Sequence, residues 1–309
     1  MAEKDHIDIG IVNNMPDAAL QATERQFLSL IEAAAGDTTV RVQFYTLPGL
    51  ARSDSLRRRM ARYKSIDELF DRSLDGMIVT GAEPRAKNLR QEPYWAAMAK
   101  LVDWADYNTT STIWSCLAAH AAVLHMDDVR RRRLTQKCFG VYDCAVARRH
   151  ELTDGAPAGL KIPHSRWNDL DEQDLSRAGY SILTRSDSGV DAFVKRRHSL
   201  FLFFQGHPEY DAETLLLEYR RDVRNFLAGE NSIYPSLPYG YLDLKSSAML
   251  TAFGERVMNR RSESPMREFP AVSPAKNTWR PGAVHIYRNW FAHLVGQKDR
   301  RRTVLIHQK

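Results

Sequence analysis

The chain has 309 residues, 43% of them apolar, which is enough to bury a substantial core in one α/β domain or two smaller ones. Its formal charge of +6 is spread thinly and peaks at Arg130-Arg131-Arg132-Arg133 and near the C-terminus. That distribution predicts a solvated basic face, or attraction of a phosphate-rich small molecule, rather than a nucleic-acid partner. No run of about 18 apolar residues is present, so no membrane partner is expected; Met1-Ala2-Glu3-Lys4-Asp5-His6 is too charged to open a secretory signal, and the expectation is a cytoplasmic protein. Cys116, Cys138 and Cys144 form no CxxC pair, which predicts reduced thiols and no metal site.

Residues 6–14 alternate and then turn apolar, predicting a strand that ends in a polar turn at Asn13, Asn14 and Pro16. A helix is predicted over 18–35, with Leu20, Phe27, Leu28, Leu30 and Ile31 on one side and Gly36 as its stop. A second strand over 39–47, a helical piece over 65–70 and a third strand over 76–81 follow. Trp95, Met98, Leu101, Val102 and Trp104 then recur at helical spacing within 94–107 and predict a core-facing helix. Strands alternating with helices predict a doubly wound, mostly parallel sheet covered on both faces, with its chemistry at the carboxyl ends of the strands. Beyond Cys116 the apolar runs 140–146, 180–183 and 200–204 are strand candidates, a helix is predicted over 212–227, and 283–294 reads as a helix packed on the core. Residues 228–275, rich in Pro, Ser and Arg with patchy periodicity, read as an insertion or lid within a single unit spanning 1–309.

Thr109-Thr110-Ser111-Thr112-Ile113-Trp114-Ser115 delivers Cys116 to the mouth of an alanine-rich helix. A strand-to-helix turn holds a thiol out of the sheet plane, and the helix N-terminus favours its thiolate. Gln205-Gly206-His207-Pro208-Glu209 follows the last apolar strand. The one-residue gap projects His207 and Glu209 to the same side of an extended segment, so the carboxylate can orient the imidazole. Cys116, His207 and Glu209 together predict an acyl-transfer site.

An ordered series of motifs makes a kinship visible: Asn14-Met15-Pro16, Asp75-Gly76-Met77-Ile78-Val79-Thr80-Gly81-Ala82, Tyr94-Trp95, Thr110-Ser111-Thr112, Gly140-Val141-Tyr142, Pro163-His164-Ser165-Arg166, and Gly206-His207-Pro208-Glu209-Tyr210-Asp211-Ala212. Glu218-Tyr219 and Arg221-Asp222 follow in phase. In these motifs the chain resembles the homoserine O-succinyltransferase family, acyltransferases of methionine biosynthesis built on a class I glutamine amidotransferase-like fold. The resemblance implies that Cys116 takes the acyl group, His207 is the general base with Glu209 in support, and Lys137, Ser165 and Arg221 bind substrate. It also implies acyl-CoA as cosubstrate with no bound cofactor, a hydroxy amino acid such as homoserine or serine as acceptor, and a homodimer.

Two departures stand out. Asp17-Ala18-Ala19-Leu20 replaces the family's lysines after Met15-Pro16, and Arg85 lies near a position where the family's glycine goes with succinyl and its glutamate with acetyl. An arginine facing inward would welcome a succinyl carboxylate, so succinyl-CoA is favoured over acetyl-CoA. A glutamine amidotransferase-like hydrolase is the alternative enzyme, although Trp114-Ser115-Cys116-Leu117-Ala118 lacks the glycines that usually flank that nucleophile; a noncatalytic binding protein of the same fold is the third reading.

Overall fold

The computed structural model describes residues 6–258 and 264–307. Met1-Ala2-Glu3-Lys4-Asp5 and part of 228–275 lie outside the described residues. In the first half, β1 (Ile7–Val12), α1 (Asp17–Ala35), β2 (Val40–Tyr45), α2 (Asp54–Arg59), β3 (Tyr63–Lys64), α3 (Ile66–Phe70), β4 (Leu74–Thr80), α4 (Trp95–Asn108), β5 (Thr109–Ser115) and α5 (Leu117–Asp127) succeed one another, the expected alternation with the short α2 and β3 added to it. The second half comprises β6 (Arg132–Val146), β7 (Leu160–Asp169), α6 (Glu172–Arg177), β8 (Ser181–Ser186), β9 (Gly189–Arg196), β10 (Leu200–Phe204), α7 (Thr214–Leu227), α8 (Leu244–Val257) and α9 (Arg280–His307).

These strands form one sheet in the order β3-β2-β1-β4-β5-β10-β9-β8-β6-β7. Its first six members are parallel, and from β10 onward the neighbours run antiparallel. Strand alternation assigns the two faces. Val12, Met77, Val79, Trp114, Phe201 and Phe203 turn toward α4 and α5, whereas Ile9, Ile11, Ile78, Ile113, Leu202 and Phe204 turn toward α1 and α9. Trp290 of α9 is fully buried on the second face and donates its Nε1–H to Ser111 Oγ at 2.9 Å, which ties the last helix to the central strand.

Three stretches differ from the sequence reading. β6 begins within the arginine run rather than at Gly140, because its charges find partners: Arg132 bonds Asp169 and Asp171, and Arg133 stacks over Trp167. β7 and β9 lie outside the expected strands; their partly polar, partly charged sequences lack the apolar run that marks β4 and β10. Within 228–275, α8 buries Leu250, Phe253, Gly254 and Val257 at helical spacing in a cluster shared with Leu215, Tyr219, Val223 and Phe226 of α7. No helix among the described residues is long and apolar enough to cross a membrane.

The stretch around Tyr239 docks on β6 at Gly140. At φ 140° Gly140 forms a bridge with Tyr239; Tyr239 N–H donates to Phe139 O at 2.9 Å, and Val141 N–H donates to Tyr239 O at 2.7 Å. A Cβ on Gly140 would meet Tyr239 O at 2.2 Å and Tyr239 N at 2.4 Å, with backbone on both sides and no flexible side chain to yield. Gly140→Ala is therefore expected to lower unfolding free energy by about 2 kcal/mol or more, read as a reduced urea midpoint, while Gly36→Ala, whose strained turn faces open space, has the smaller effect.

Candidate active site

The parallel pairing of β5 and β10 brings the predicted nucleophile and base together. Ser115 is in register with Phe204, and one residue later Cys116 N–H donates to Phe204 O at 2.7 Å. Cys116 sits between strand and helix at φ 52°, ψ −114°, one of two described non-glycine residues with positive φ. Such a conformation costs on the order of 1–3 kcal/mol and is kept where the surroundings over-determine it. Next to it, Gly81 closes β4: a Cβ there would lie 2.5 Å from Leu117 Cβ and 2.9 Å from Leu117 N. Glycine is thus required for the end of β4 to approach the first N–H groups of α5, which have no partner within the helix.

His207 leaves the carboxyl end of β10 in a loop pinned on several sides. Its N–H donates to Pro163 O at 2.8 Å, and Tyr210 O accepts from Trp279 Nε1 at 2.8 Å. The imidazole Nδ1 lies 2.9 Å from Glu209 Oε1, both side chains are buried, and the Tyr210 ring stacks on the imidazole at 4.3 Å. Burial disfavours the imidazolium, but the interactions with Cys116 and then with Glu209 outweigh it, and the His207 pKa stands well above 6.5. Glu209 keeps its Oε2 buried without a partner, an expensive arrangement that a neighbouring imidazolium offsets.

Lys137, Ser165 and Arg221 come together around two carboxylates of α7. Ser165 Oγ donates to Glu218 Oε2, and Tyr210 Oη donates to Glu218 Oε1 at 2.7 Å. Lys137 Nζ lies 2.8 Å from Asp222 Oδ2 and 3.8 Å from Glu218 Oε2, over the Phe139 ring. Arg221 reaches Asp222 at 2.8 Å and Glu218 at 3.9 Å, with its side chain 56% exposed. Tyr210, stacked on His207 and bonded to Glu218, joins this cluster to Cys116 and His207. The sequence reading gave no role to Glu218, Asp222 or Tyr210. The spacing of Glu218 and Asp222 on α7, beside the buried Leu215-Tyr219-Val223 stripe, was the available signal. Arg85 is not part of the assembly: it is exposed, its guanidinium enters no hydrogen bond or ion pair among the described residues, and only its backbone N–H is held, by Glu92 Oε1 at 2.6 Å.

Behind His207 lies a buried polar layer that the sequence reading also missed. His120 Nε2 meets Gln205 Oε1 at 3.1 Å; Asp191 accepts from Thr184 at 2.9 Å, and its Oδ1 is 3.4 Å from His164 Nε2 but out of line for a hydrogen bond. Arg166 pairs with Asp169 at 2.7 Å in the same layer. Cys138 and Cys144 are buried and unbridged, and Cys116 is half-buried.

Known proteins resemble this chain along its length. The family model for homoserine O-succinyltransferase matches residues 2–301. A homoserine O-succinyltransferase of Bradyrhizobium japonicum is 47% identical over 94% of this chain and 90% of its own length. One from Rhodopseudomonas palustris is 46% identical over 94% and 89%. Among solved structures, a glutamine amidotransferase from Thermotoga maritima superposes with a TM-score of 0.51 at 9% identity, covering 94% of this chain and 98% of that one, a likeness of fold alone.

The buried histidines set a pH dependence. Burial, reinforced by Arg166, holds His120 at about 3 and His164 well below 6.5. Folded protein therefore refuses protons that the unfolded chain takes up below about pH 6.5, and stability falls as pH drops. Asp191, pushed up to about 6 by burial, opposes this between pH 6 and its unfolded value. His120→Gln is expected to remove one such proton uptake, sparing about 2 kcal/mol of the loss between pH 7 and pH 5, measured as urea midpoints at the two pH values.

Proposed function

Because the chain belongs to the homoserine O-succinyltransferase family, we propose that it transfers a succinyl group from succinyl-CoA to the hydroxyl of homoserine through a succinyl thioester on Cys116. The observation that carries this reading is the positive-φ Cys116 between β5 and α5, with the buried His207–Glu209 pair beside it. Together they give a strand-to-helix nucleophile with its base and the base's orienting carboxylate.

The Cys116 thiolate attacks the thioester carbonyl, and negative charge gathers on the carbonyl oxygen. The Leu117 N–H, at the positive end of α5, and the backbone beside Gly81 stabilise that charge. As the intermediate collapses, the bond to coenzyme A sulfur breaks and the departing thiolate takes the His207 proton. Neutral His207 then removes the acceptor's hydroxyl proton as its oxygen attacks the acyl-cysteine; the bond to Cys116 sulfur breaks, and the thiolate–imidazolium pair returns. Glu209 holds the imidazole through Nδ1 and so keeps its other nitrogen toward the reacting atoms.

The α7 cluster suits an amino acid that carries both charges. Lys137 and Arg221 offer cations to a carboxylate, and Glu218 offers a carboxylate to an ammonium group, while Ser165 can bond either. The described residues of 228–275 serve as a cover that keeps water from the acyl-enzyme, with α8 resting on the helix that carries Glu218 and Arg221.

Steady-state rates measured with several acyl-CoA donors and several hydroxy amino acids are expected to give parallel double-reciprocal lines, with succinyl-CoA and homoserine the best pair. Intersecting lines, or ammonia released from glutamine in place of ester formation, would overturn the reading. Arg221→Ala is expected to raise the acceptor KM by about 10-fold or more while leaving the first half-reaction intact, since the loss of one charged hydrogen bond is worth about 1.5–3 kcal/mol.

A further inference from the structure

We infer that His120 and Gln205 form a latch between the helix that carries Cys116 and the loop that carries His207, and that both are positioning residues for the acyl-transfer pair. The inference rests on the reading of Cys116 and His207 given above and adds how their separation is held. His120 lies one turn into α5, and the N–H groups of Ala119 and His120 both donate to Cys116 O, at 3.0 and 3.4 Å. The first turn of α5 and the nucleophile's backbone therefore move as one body. On the other side, Gln205 lies between the end of β10 and Gly206-His207.

All of the main polar contacts of the Gln205 side chain are directed. Its Oε1 accepts from Leu170 N–H at 2.9 Å, its Nε2 donates to Val190 O at 2.7 Å, and its backbone N–H donates to Asp191 O at 2.8 Å. Because Leu170 supplies a proton and Val190 a lone pair, the oxygen and nitrogen of the amide are distinguished. His120 must then carry its proton on Nε2 and donate to Gln205 Oε1 across 3.1 Å. Its Nδ1 is left buried with no partner.

That orphan is what argues against simple filling. An apolar side chain at position 120 would occupy the same interior without burying an unpaired nitrogen, whereas histidine accepts the penalty and gains one bond to the base-bearing loop. The bond also resists acid, since His120 stays neutral far below its ordinary range. A rigid tie between two elements that must hold a sulfur and an imidazole in line is worth most in rate, because small misplacements at a reacting pair are costly.

The test uses the full chain as the parent and three variants, with a fourth for NMR assignment: His120→Leu, His120→Gln, whose amide N–H reaches where Nε2–H does, and His120→Asn, which is polar but too short. Two quantities are read: the titration of the His207 imidazole by histidine-labelled NMR, assigned through its absence in His207→Asn, and the rate of the first half-reaction. His120→Leu is expected to bring the His207 titration down toward the ordinary range and slow acyl-enzyme formation by about 100-fold, with the acceptor KM little changed; His120→Gln restores both. If the leucine variant does not fold, His120→Asn carries the same expectation. Unchanged titration and rate in these variants, with only a lowered melting temperature, would overturn the latch. A parent protein whose His207 titrates in the ordinary range would instead sink the Cys116–His207 pair itself, and the latch with it.

Discussion

The parallel register of β5 against β10 is the constraint on which the rest depends. Pairing Ser115 with Phe204 leaves Cys116 to spend its N–H on Phe204 O, and that bond turns the chain out of the sheet at positive φ. The same register fixes where β10 ends and so where His207 emerges. A slip of one residue would send Cys116 to the opposite face. Both strands are buried on both faces by helices and large aromatic side chains, with Trp114, Phe201 and Phe203 on one side and Phe204 near Tyr287 on the other. The strain at Cys116 is thus maintained by packing far larger than itself.

Around that geometry, charge is arranged in two buried layers with opposite properties. In front, Cys116, His207 and Glu209 favour an imidazolium, and Tyr210 carries the contact onward to Glu218 and its cations. Behind, His120 and His164 are held neutral by burial and by Arg166, while Gln205 and Asp191 anchor the loop between the layers. The division is physically sensible. In the proposed reaction the front layer changes protonation state in each turnover, whereas the back layer keeps its hydrogen bonds through those changes.

Much of this was legible in the sequence where hydrophobicity speaks clearly. β1, β4 and β10 carry apolar runs and β5 a β-branched one, so their places along the chain and the placement of Cys116 and His207 at strand ends followed directly. The antiparallel half was harder. β6 starts among arginines whose partners, Asp169, Asp171 and Trp167, lie on β7 or just after it, and α8 shows its stripe only through Leu250, Phe253, Gly254 and Val257. Lys137, Ser165 and Arg221 were singled out by resemblance, but Glu218 and Asp222, which hold them, look like ordinary surface charges until α7 is docked on β6 and β7. Arg85 illustrates the converse: an arginine beside a functional motif whose side chain the fold leaves in solvent.

The central claim is that the succinyl group rests on Cys116 between donor and acceptor. It is tested most directly by mixing the full chain with succinyl-CoA in the absence of an amino acid and measuring intact and peptide masses. A mass gain of one succinyl group is expected on the peptide bearing Cys116, lost when homoserine is added and absent in Cys116→Ser. Formation of O-succinylhomoserine by the Cys116→Ser protein at the parent rate would contradict it.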